Sequence, residues 1–295
     1  MKKTLFIGCV ESSYVLLEAM FEAGYPVAGI VTMEQSAINA DFKSLVPLAE
    51  KYNVPYICTK NVNDDETVGF IKNIAPEVIY CFGWSRLIGS EILALPKYGV
   101  VGFHPAALPC NKGRHPLIWA LVLGLKETAS TFFIMDEGAD TGDIISQMPV
   151  AISDTDDAAD LYAHVLEVAK KQVIEFTKAF AEDRVEPKKQ DPTAGNAWRK
   201  RGRADGQIDW RMSARAIYNL VRGLTHPYVG AHFMKGEAEV KVWKCQVIDT
   251  NDYANIEPGK IINVNSQTDF VIKAYDGLVH VIDSDPVDLT EGEYL

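Results

Sequence analysis

Short apolar runs alternate with longer amphipathic stretches through the first hundred residues, and this alternation constrains the fold more than any other feature. The runs are rich in β-branched residues and lie at 5–10, 27–32, 54–58, 78–82 and 100–104. Amphipathic stretches such as 14–23 and 42–52 separate them. Strands that alternate with helices pair in parallel through right-handed crossovers. We therefore predict an α/β fold with a Rossmann-like, doubly wound, mostly parallel sheet.

The glycine-rich motif that binds dinucleotides in such folds is absent, because no second glycine follows Gly8 in the required spacing.

The second half of the chain has a different pattern. Residues 154–183 predict one long helix, and a polar stretch follows it. Alternating apolar runs then recur closely, separated by the turn pairs Pro258-Gly259 and Asp276-Gly277; they lie at 239–247, 260–265, 270–274 and 278–282. Such spacing is typical of a small β-rich, OB-like domain. We predict an N-terminal domain over residues 1–185, a linker over 186–205 and a C-terminal β-barrel-like domain over 206–295.

Charge and cysteine content argue against several classes of protein. The net charge of −11 opposes broad electrostatic binding to nucleic acid, which needs a basic face. The basic run 198–203 is interpreted as a solvated linker. The N-terminal apolar run is too short for a signal peptide, and no run reaches the roughly 18 residues that a membrane span needs. Five unpaired cysteines indicate a reducing cytoplasm, with neither a disulfide framework nor a metal site.

Two residues between positions 100 and 143 have the chemistry for proton transfer. His104 lies where an apolar run ends at Pro105, and Asp140 lies in a glycine-flanked turn between two further apolar runs. If these runs are neighbouring parallel strands, both side chains emerge at the sheet edge where open α/β folds bind ligands. Histidine exchanges its proton near neutral pH. We therefore predict that the two side chains form a proton-transfer site.

Three motifs together resemble the formyltransferases that use 10-formyltetrahydrofolate. They are His-Pro-Ala-Ala-Leu-Pro at 104–109, Gly-Arg-His-Pro at 113–116 and Ala-Asp-Thr-Gly-Asp-Ile at 139–144. That family includes methionyl-tRNA, glycinamide ribonucleotide and bacterial sugar formyltransferases. The resemblance covers residues 1–185, the expected catalytic domain, and extends more weakly through 206–210 and 222–227. It implies a catalytic trio of asparagine, histidine and aspartate. His104 and Asp140 match its last two members, whereas Gly102 replaces the asparagine.

The resemblance implies that an amine attacks the formyl carbon. The amine must lose a proton, and the tetrahedral intermediate carries an oxyanion that needs hydrogen-bond donors. Without the asparagine one donor is missing, a loss on the order of 10²-fold in rate if nothing replaces it. We expect a water, a backbone N–H or one of Ser85, Asn111 and His115 beside Gly102. The alternative is a non-catalytic relative that binds folate or a nucleotide.

The resemblance also assigns residues that hold the two substrates. The folate pterin ring would lie against one segment, with two residues forming the opposite wall; these are Phe82, Trp84, Ser85, Arg86, Leu87 and Ile88, with Glu137 and Gly138 opposite. The amine substrate would meet the loop of Asn111, Lys112, Gly113, Arg114 and His115. Ser12 and Ser13 cap the first helix or, alternatively, help to bind a phosphate at its N-terminus.

The resemblance, together with the charge of the chain, predicts that the amine substrate is a small molecule. The tRNA-formylating relatives carry a basic insertion after the second strand, whereas residues 32–44 contain no basic cluster. The glycinamide ribonucleotide enzymes are usually single domains, whereas this chain has an appendage. The remaining substrate is a nucleotide-linked amino sugar of the kind found in bacterial surface polysaccharides. The run at 113–119 is similar to the branch from pseudaminic-acid-type pathways. The alternative is tRNA formylation; the oligomeric state, including a homo-oligomer, stays open.

Overall fold

The computed structural model describes residues 1–35 and 41–295. The chain divides into two compact units that interleave along the sequence. The first contains Met1–Pro116, Thr128–Val150 and Ala163–Trp198; the second contains Leu117–Glu127, Ala151–Tyr162 and Arg199–Leu295. Two short segments from the middle of the chain therefore belong to the same unit as the C-terminal third.

The first unit is built on a seven-stranded sheet. Its strands are β1 (Thr4–Ile7), β2 (Gly29–Thr32), β3 (Tyr56–Cys58), β4 (Val78–Cys81), β5 (Val100–His104), β7 (Glu127–Ile134) and β8 (Ile144–Ala151). The order is β3-β2-β1-β4-β5-β7-β8, and the first five of these strands pair in parallel. β1, β2 and β4 are buried along their whole length, which explains their continuous apolar sequence. The predicted mostly parallel α/β sheet is confirmed.

Six helices connect or follow these strands in the described part of the chain. They are α1 (Glu11–Glu22), α2 (Val46–Lys51), α3 (Asp65–Ile74), α4 (Ser90–Ala94), α5 (Pro116–Val122) and α6 (Ala158–Ala181). α6 is the predicted long helix, and its Val173 and Phe176 pack in the core with Phe6, Tyr80 and Phe132. No described helix is both long and apolar enough to cross a membrane.

The second unit contains a five-stranded sheet, most of α5, the first residues of α6 and a further helix, α7 (Ala214–Leu224), whose N-terminus Ser213 caps. The strands are β10 (Ala231–Lys235), β11 (Ala238–Ile248), β12 (Ile261–Val264), β13 (Phe270–Lys273) and β14 (Leu278–Ser284), in the order β10-β11-β14-β13-β12. All the recorded pairings are antiparallel. The predicted small β-rich C-terminal domain is confirmed.

Two very short strands form a separate parallel pair in the first unit. β6 (Lys112–Gly113) pairs with β9 (Ala197–Trp198). β6 lies in the loop that follows His104, whereas β9 lies in the stretch predicted to be a linker. The pair therefore joins a loop of the candidate site to a segment about 85 residues further along the chain, with Asn111 and Asn196 hydrogen-bonded across that separation.

Candidate active site

His104 ends β5 and has both ring nitrogens close to oxygen atoms. Its Nε2 lies 2.8 Å from the carbonyl oxygen of Asn111, and because a carbonyl only accepts, Nε2 donates. Nδ1 is therefore the basic nitrogen of the neutral ring, and it lies 3.7 Å from Oδ2 of Asp140. The His104 side chain is 6% exposed and that of Asp140 is 21% exposed. A proton taken up at Nδ1 would leave the ring between two acceptors.

Asp140 reaches His104 by a route that differs from the expected one. β7 runs antiparallel to β5, with Ile134 opposite Val101 and Thr131 opposite His104, so the carboxyl ends of the two strands point apart. The segment 135–143 between β7 and β8 folds back and carries Asp140 to the histidine. The expectation of neighbouring parallel strands is wrong at this point, because β7 pairs with β5 in the antiparallel direction although α5 lies between them in the chain. The proximity of the two side chains comes from the loop.

The turn around Asp140 is held from two sides. Asp140 has a φ of +58°, a region in which a non-glycine residue is strained. Its Oδ2 accepts a hydrogen bond from the Gly113 N–H at 2.8 Å. The side-chain amide of Gln190 donates to the carbonyl oxygens of Asp140, at 3.0 Å, and Gly142, at 2.7 Å. These bonds stabilise a conformation that the residue alone would not favour.

The loop predicted to meet the amine substrate lies beside this pair. Three of its residues have positive φ, namely Asn111 at +63°, Gly113 at +99° and His115 at +58°. A Cβ at Gly113 would lie 2.3 Å from the Trp198 carbonyl oxygen, so only glycine fits there. Lys112 is half-buried and Arg114 is exposed. The structure thus brings Asn111 and Gly113 together with His104 and Asp140 through backbone groups.

The space beside Gly102 is apolar. A Cβ built on Gly102 would lie 2.8 Å from Cζ of Phe133 and 2.9 Å from Cγ of Met135. We expected a polar donor at this point, from Ser85, Asn111, His115, a backbone N–H or a water. The atoms nearest to this Cβ position come from β7 and the residue after it, because β7 packs directly along β5, and the expected donor stays a prediction.

The segment predicted to hold the pterin ring follows β4. β4 and β5 are parallel neighbours, so their carboxyl ends lie at the same sheet edge as His104. Leu87 is 84% exposed, which is unusual for a large apolar side chain, and Ser85 and Arg86 are exposed beside it. Trp84 is half-buried and Ile88 buried. An exposed apolar side chain in an irregular segment suits a flat ring with a polar edge.

Glu137 and Gly138, which are predicted to form the opposite wall, are both exposed. They lie in the turn that carries Asp140, and the Gly138 N–H donates to Oδ1 of Asp136 at 3.0 Å. Their predicted contact with a ligand stays a prediction.

Three further predicted site residues, besides His104 and Ile88, have buried side chains. Phe82 is fully buried, with its ring 5.2 Å from those of Phe6 and Phe132. The Ser13 hydroxyl is also fully buried and donates to the Phe82 carbonyl oxygen at 2.6 Å, and Ser12 is 4% exposed. The N-cap residue of α1 is Val10, and the Ser13 hydroxyl, in the first turn of the helix, accepts from the Val10 N–H at 3.2 Å. The structure gives these side chains roles in packing, and their proposed contact with ligands stays a prediction.

Gln190 and Asn196 are the contributors to this site that sequence reasoning missed. Both lie in the predicted linker, yet Gln190 holds the Asp140 turn and Oδ1 of Asn196 accepts from the Asn111 N–H at 2.9 Å. A polar residue in a polar stretch carries no signal of such a contact. The basic run that starts at Trp198 was likewise interpreted as solvated, whereas Trp198 belongs to β9.

Neither a disulfide nor a metal-ligand cluster is found among the described residues. No group of three His, Cys, Asp or Glu side chains in residues 1–35 and 41–295 is arranged to hold a metal ion. Burial raises the pKa of the Cys81 and Cys245 thiols to about 12, so both remain protonated and unreactive at neutral pH. Cys110, in the site loop, is a free and exposed thiol.

Comparison with known proteins covers both units. The family profile described as formyl transferase matches residues 27–177, and that described as formyl transferase, C-terminal domain, matches residues 201–286. Methionyl-tRNA formyltransferase of Caldanaerobacter subterraneus subsp. tengcongensis is 29% identical over 286 residues, which are 95% of this chain and 91% of that protein.

Solved structures share the fold at lower identity. The N-formyltransferase from Helicobacter canadensis, in complex with folinic acid and dTDP-3-aminofucose, has a TM-score of 0.69 at 18% identity and covers 96% of this chain and 100% of its own. HypX from Aquifex aeolicus, in complex with tetrahydrofolic acid, has a TM-score of 0.70 at 18% identity over 97% of this chain. This chain spans only 44% of the HypX chain. At such identities the likeness shows a common fold.

Proposed function

The chain belongs to the formyl transferase family and is a formyl transfer enzyme, and we propose that it moves a formyl group from 10-formyltetrahydrofolate to the amine of a nucleotide-linked amino sugar. The main observation in support of this reaction is that His104 Nδ1 lies 3.7 Å from Asp140 Oδ2. The neighbouring loop supplies a backbone acceptor to His104 and a backbone donor to Asp140. Both residues match the catalytic histidine and aspartate that the motif resemblance implies.

His104 acts as the base in the proposed mechanism. The amine nitrogen forms a bond to the formyl carbon, and its proton passes to Nδ1 of His104. The resulting imidazolium donates from Nε2 to the Asn111 carbonyl oxygen and from Nδ1 towards the Asp140 carboxylate. When the bond from the formyl carbon to the leaving nitrogen breaks, the imidazolium returns the proton to that nitrogen. The Asn111 carbonyl keeps the ring in one orientation throughout, and the Asp140 carboxylate offsets the positive charge of the imidazolium.

The formyl donor supplies the activated carbon and a flat, polar-edged ring for recognition. Residues 84–88 would hold that ring, with the exposed Leu87 against its face and Glu137 and Gly138 opposite. The tetrahydrofolate bound to HypX and the folinic acid bound to the Helicobacter canadensis protein support this assignment.

Charge and sequence support a small anionic substrate. The net charge of −11 opposes a large polyanion, and no basic cluster lies in residues 32–44. Residues 36–40 of that region lie outside the described residues. Lys112 and Arg114 in the site loop can meet a compact phosphate group. The dTDP-3-aminofucose in the Helicobacter canadensis complex supports an amino sugar on a nucleotide carrier.

Methionyl-tRNA is the second candidate for the amine. The 29% identity to a methionyl-tRNA formyltransferase extends over nearly the whole of both chains, and it therefore favours that substrate. The two candidates differ in charge recognition, since tRNA binding depends on contacts to many phosphates, whereas a nucleotide sugar presents only one or two.

The direct test is product formation. The purified chain is incubated with 10-formyltetrahydrofolate and a panel of dTDP-, UDP- and CMP-linked amino sugars, and the N-formylated product is detected by mass spectrometry. Transfer to at least one sugar supports the proposal. Transfer to methionyl-tRNA alone would make tRNA the substrate, and no transfer to any amine would favour a relative that binds folate without turnover.

We expect no measurable binding of tRNA at physiological salt, because the net charge of −11 opposes the contacts to many phosphates on which tRNA binding depends. The measurement is fluorescence anisotropy with labelled initiator tRNA over a range of salt concentrations. The Caldanaerobacter methionyl-tRNA formyltransferase serves as the matched positive control. Saturable binding of tRNA at roughly micromolar or tighter Kd would contradict the amino-sugar assignment.

Restoring the family residue in Gly102→Asn is expected to lower both stability and turnover. Its Cβ would approach Phe133 and Met135 to 2.8 and 2.9 Å, and overpacking of this kind costs about 1–3 kcal/mol. Thermal unfolding and formyl transfer measure the two effects. The control is Gly69→Asn in α3, where nothing lies within 4 Å of the Cβ position. Raised turnover in Gly102→Asn would show instead that the missing amide limits the reaction.

A further inference from the structure

Residues 188–198, which we call the strap, contact both sides of the candidate site. At one end, Lys188 and Ile144 exchange two backbone hydrogen bonds, at 2.8 and 2.7 Å. At the other end, β9 pairs with β6 in the loop after His104. The strap thus begins beside the strand that follows the Asp140 turn and ends beside the loop of Asn111.

The two carbonyl groups that Gln190 contacts fix the orientation of its side-chain amide. Its Nε2 donates to the carbonyl oxygens of Asp140 and Gly142, at 3.0 and 2.7 Å, and both can only accept. The amide nitrogen must therefore face the turn and Oε1 must face away from it. Oε1 is buried and has no hydrogen-bond partner among the described residues, which is unfavourable. Gln190 thus donates two hydrogen bonds to the turn, while its own side-chain oxygen stays buried without a donor.

The other end of the strap holds the opposite side of the imidazole. Asn196 accepts from the Asn111 N–H through Oδ1 at 2.9 Å, and its own carbonyl accepts from the Lys112 N–H at 3.1 Å. The Asn111 carbonyl in turn accepts from Nε2 of His104. Gly195 permits this close approach, since a Cβ there would lie 2.0 Å from the Pro109 carbonyl oxygen and its φ is +85°.

We propose that the strap sets the geometry of the His104–Asp140 pair from both sides and that Gln190 is a positioning residue for Asp140. The Asp140 carboxylate belongs to a residue with strained φ, and the amide bonds of Gln190 hold its backbone there. Catalytic groups must keep their geometry closely, because a displacement of about 1 Å can cost on the order of 10² in rate. The catalytic consequence rests on the proposed formyl transfer, whereas the structural one does not.

The test compares Gln190→Ala and Gln190→Glu with the wild-type chain. Both variants remove the two donors, but Gln190→Glu keeps the size and shape of the side chain. We expect each to lower kcat by about 10-fold or more and to change the KM for 10-formyltetrahydrofolate by less than about twofold, since positioning affects the transition state. We also expect faster hydrogen exchange at the Gly113 amide, measured by NMR on 15N-labelled protein, because its acceptor is Oδ2 of Asp140.

Gln172→Ala is the matched control. Its Nε2 also makes two hydrogen bonds, to the Ser130 carbonyl oxygen at 3.1 Å and to Oγ of Ser146 at 2.9 Å, between β7 and β8. This variant should lose stability without a selective change in exchange at Gly113.

The possible results of these measurements distinguish the proposed role of the strap from the proposed formyl transfer. Exchange at Gly113 is measured without substrate, so selective acceleration in both Gln190 variants supports the strap even if no amino sugar is formylated. Unchanged exchange at Gly113 overturns the proposal. Normal kcat despite accelerated exchange overturns the positioning role, and a loss in Gln190→Ala that Gln190→Glu fully rescues shows that side-chain packing is responsible.

Discussion

Replacement of His104 by asparagine is expected to lower formyl transfer by roughly 10²-fold or more. Asparagine has no basic nitrogen, so nothing at this position can accept the proton of the attacking amine. The Asn111 carbonyl also loses the donor that it has in the wild-type chain. We expect the Kd for 10-formyltetrahydrofolate to change much less than turnover, because the segment assigned to the pterin ring does not include the histidine. Steady-state kinetics and calorimetry with a stable folate analogue measure the two effects.

The second unit offers a matched control for this variant. Nε2 of His280 lies 2.8 Å from Oδ1 of Asp269, and both side chains are about one third exposed or less. His280→Asn therefore breaks a similar histidine–aspartate pair outside the candidate site and should leave turnover unchanged. Near wild-type turnover in His104→Asn would show that the proposed proton transfer is wrong.

Replacement of Asp140 by asparagine is expected to abolish nearly all transfer while the Tm stays within a few degrees of wild type. Asparagine is among the residues that best tolerate positive φ, so the +58° conformation is retained. Its side-chain oxygen can still accept the bond from the Gly113 N–H. The variant thus keeps the turn and removes only the negative charge that faces the imidazolium.

Thermal unfolding and formyl transfer are measured on the same preparation of Asp140→Asn. Asp269→Asn is the control, since its carboxylate is also hydrogen-bonded to a histidine and its pKa is lowered by the bonds from Asn265 and His280. That variant should transfer formyl groups at the wild-type rate. A large fall in the Tm of Asp140→Asn would mark Asp140 as a structural turn residue.

The sheet and the C-terminal β domain were predictable because local patterns decide them. Runs of β-branched residues at 27–32 and 78–82 contain β2 and β4, and closely spaced alternating runs overlap β11 to β14. β10 was not predicted. The antiparallel pairing of β7 with β5 was also not predicted, because strand order depends on contacts between distant residues that leave no local periodicity.

The candidate site was likewise predictable from the sequence only in part. His104 and Asp140 could be named because the chemistry and the flanking motifs identify them, and the structure brings them to 3.7 Å. The surroundings of Gly102 could not be predicted, since Phe133 approaches it from a strand whose position was not known. Gln190 was missed, because a glutamine in a polar stretch has the same sequence signature whether it is solvated or bonded.

The sequence by itself determined the class of fold, the family and the two side chains that we assign to proton transfer, since each follows from residue type and spacing along the chain. Only the tertiary structure decided how those side chains are held. The fold-back of segment 135–143, the apolar packing beside Gly102 and the bonds from Gln190 and Asn196 all join residues far apart in sequence. Such contacts depend on which surfaces the folded backbone brings together. These contacts cannot be deduced from the polar or apolar character of each residue.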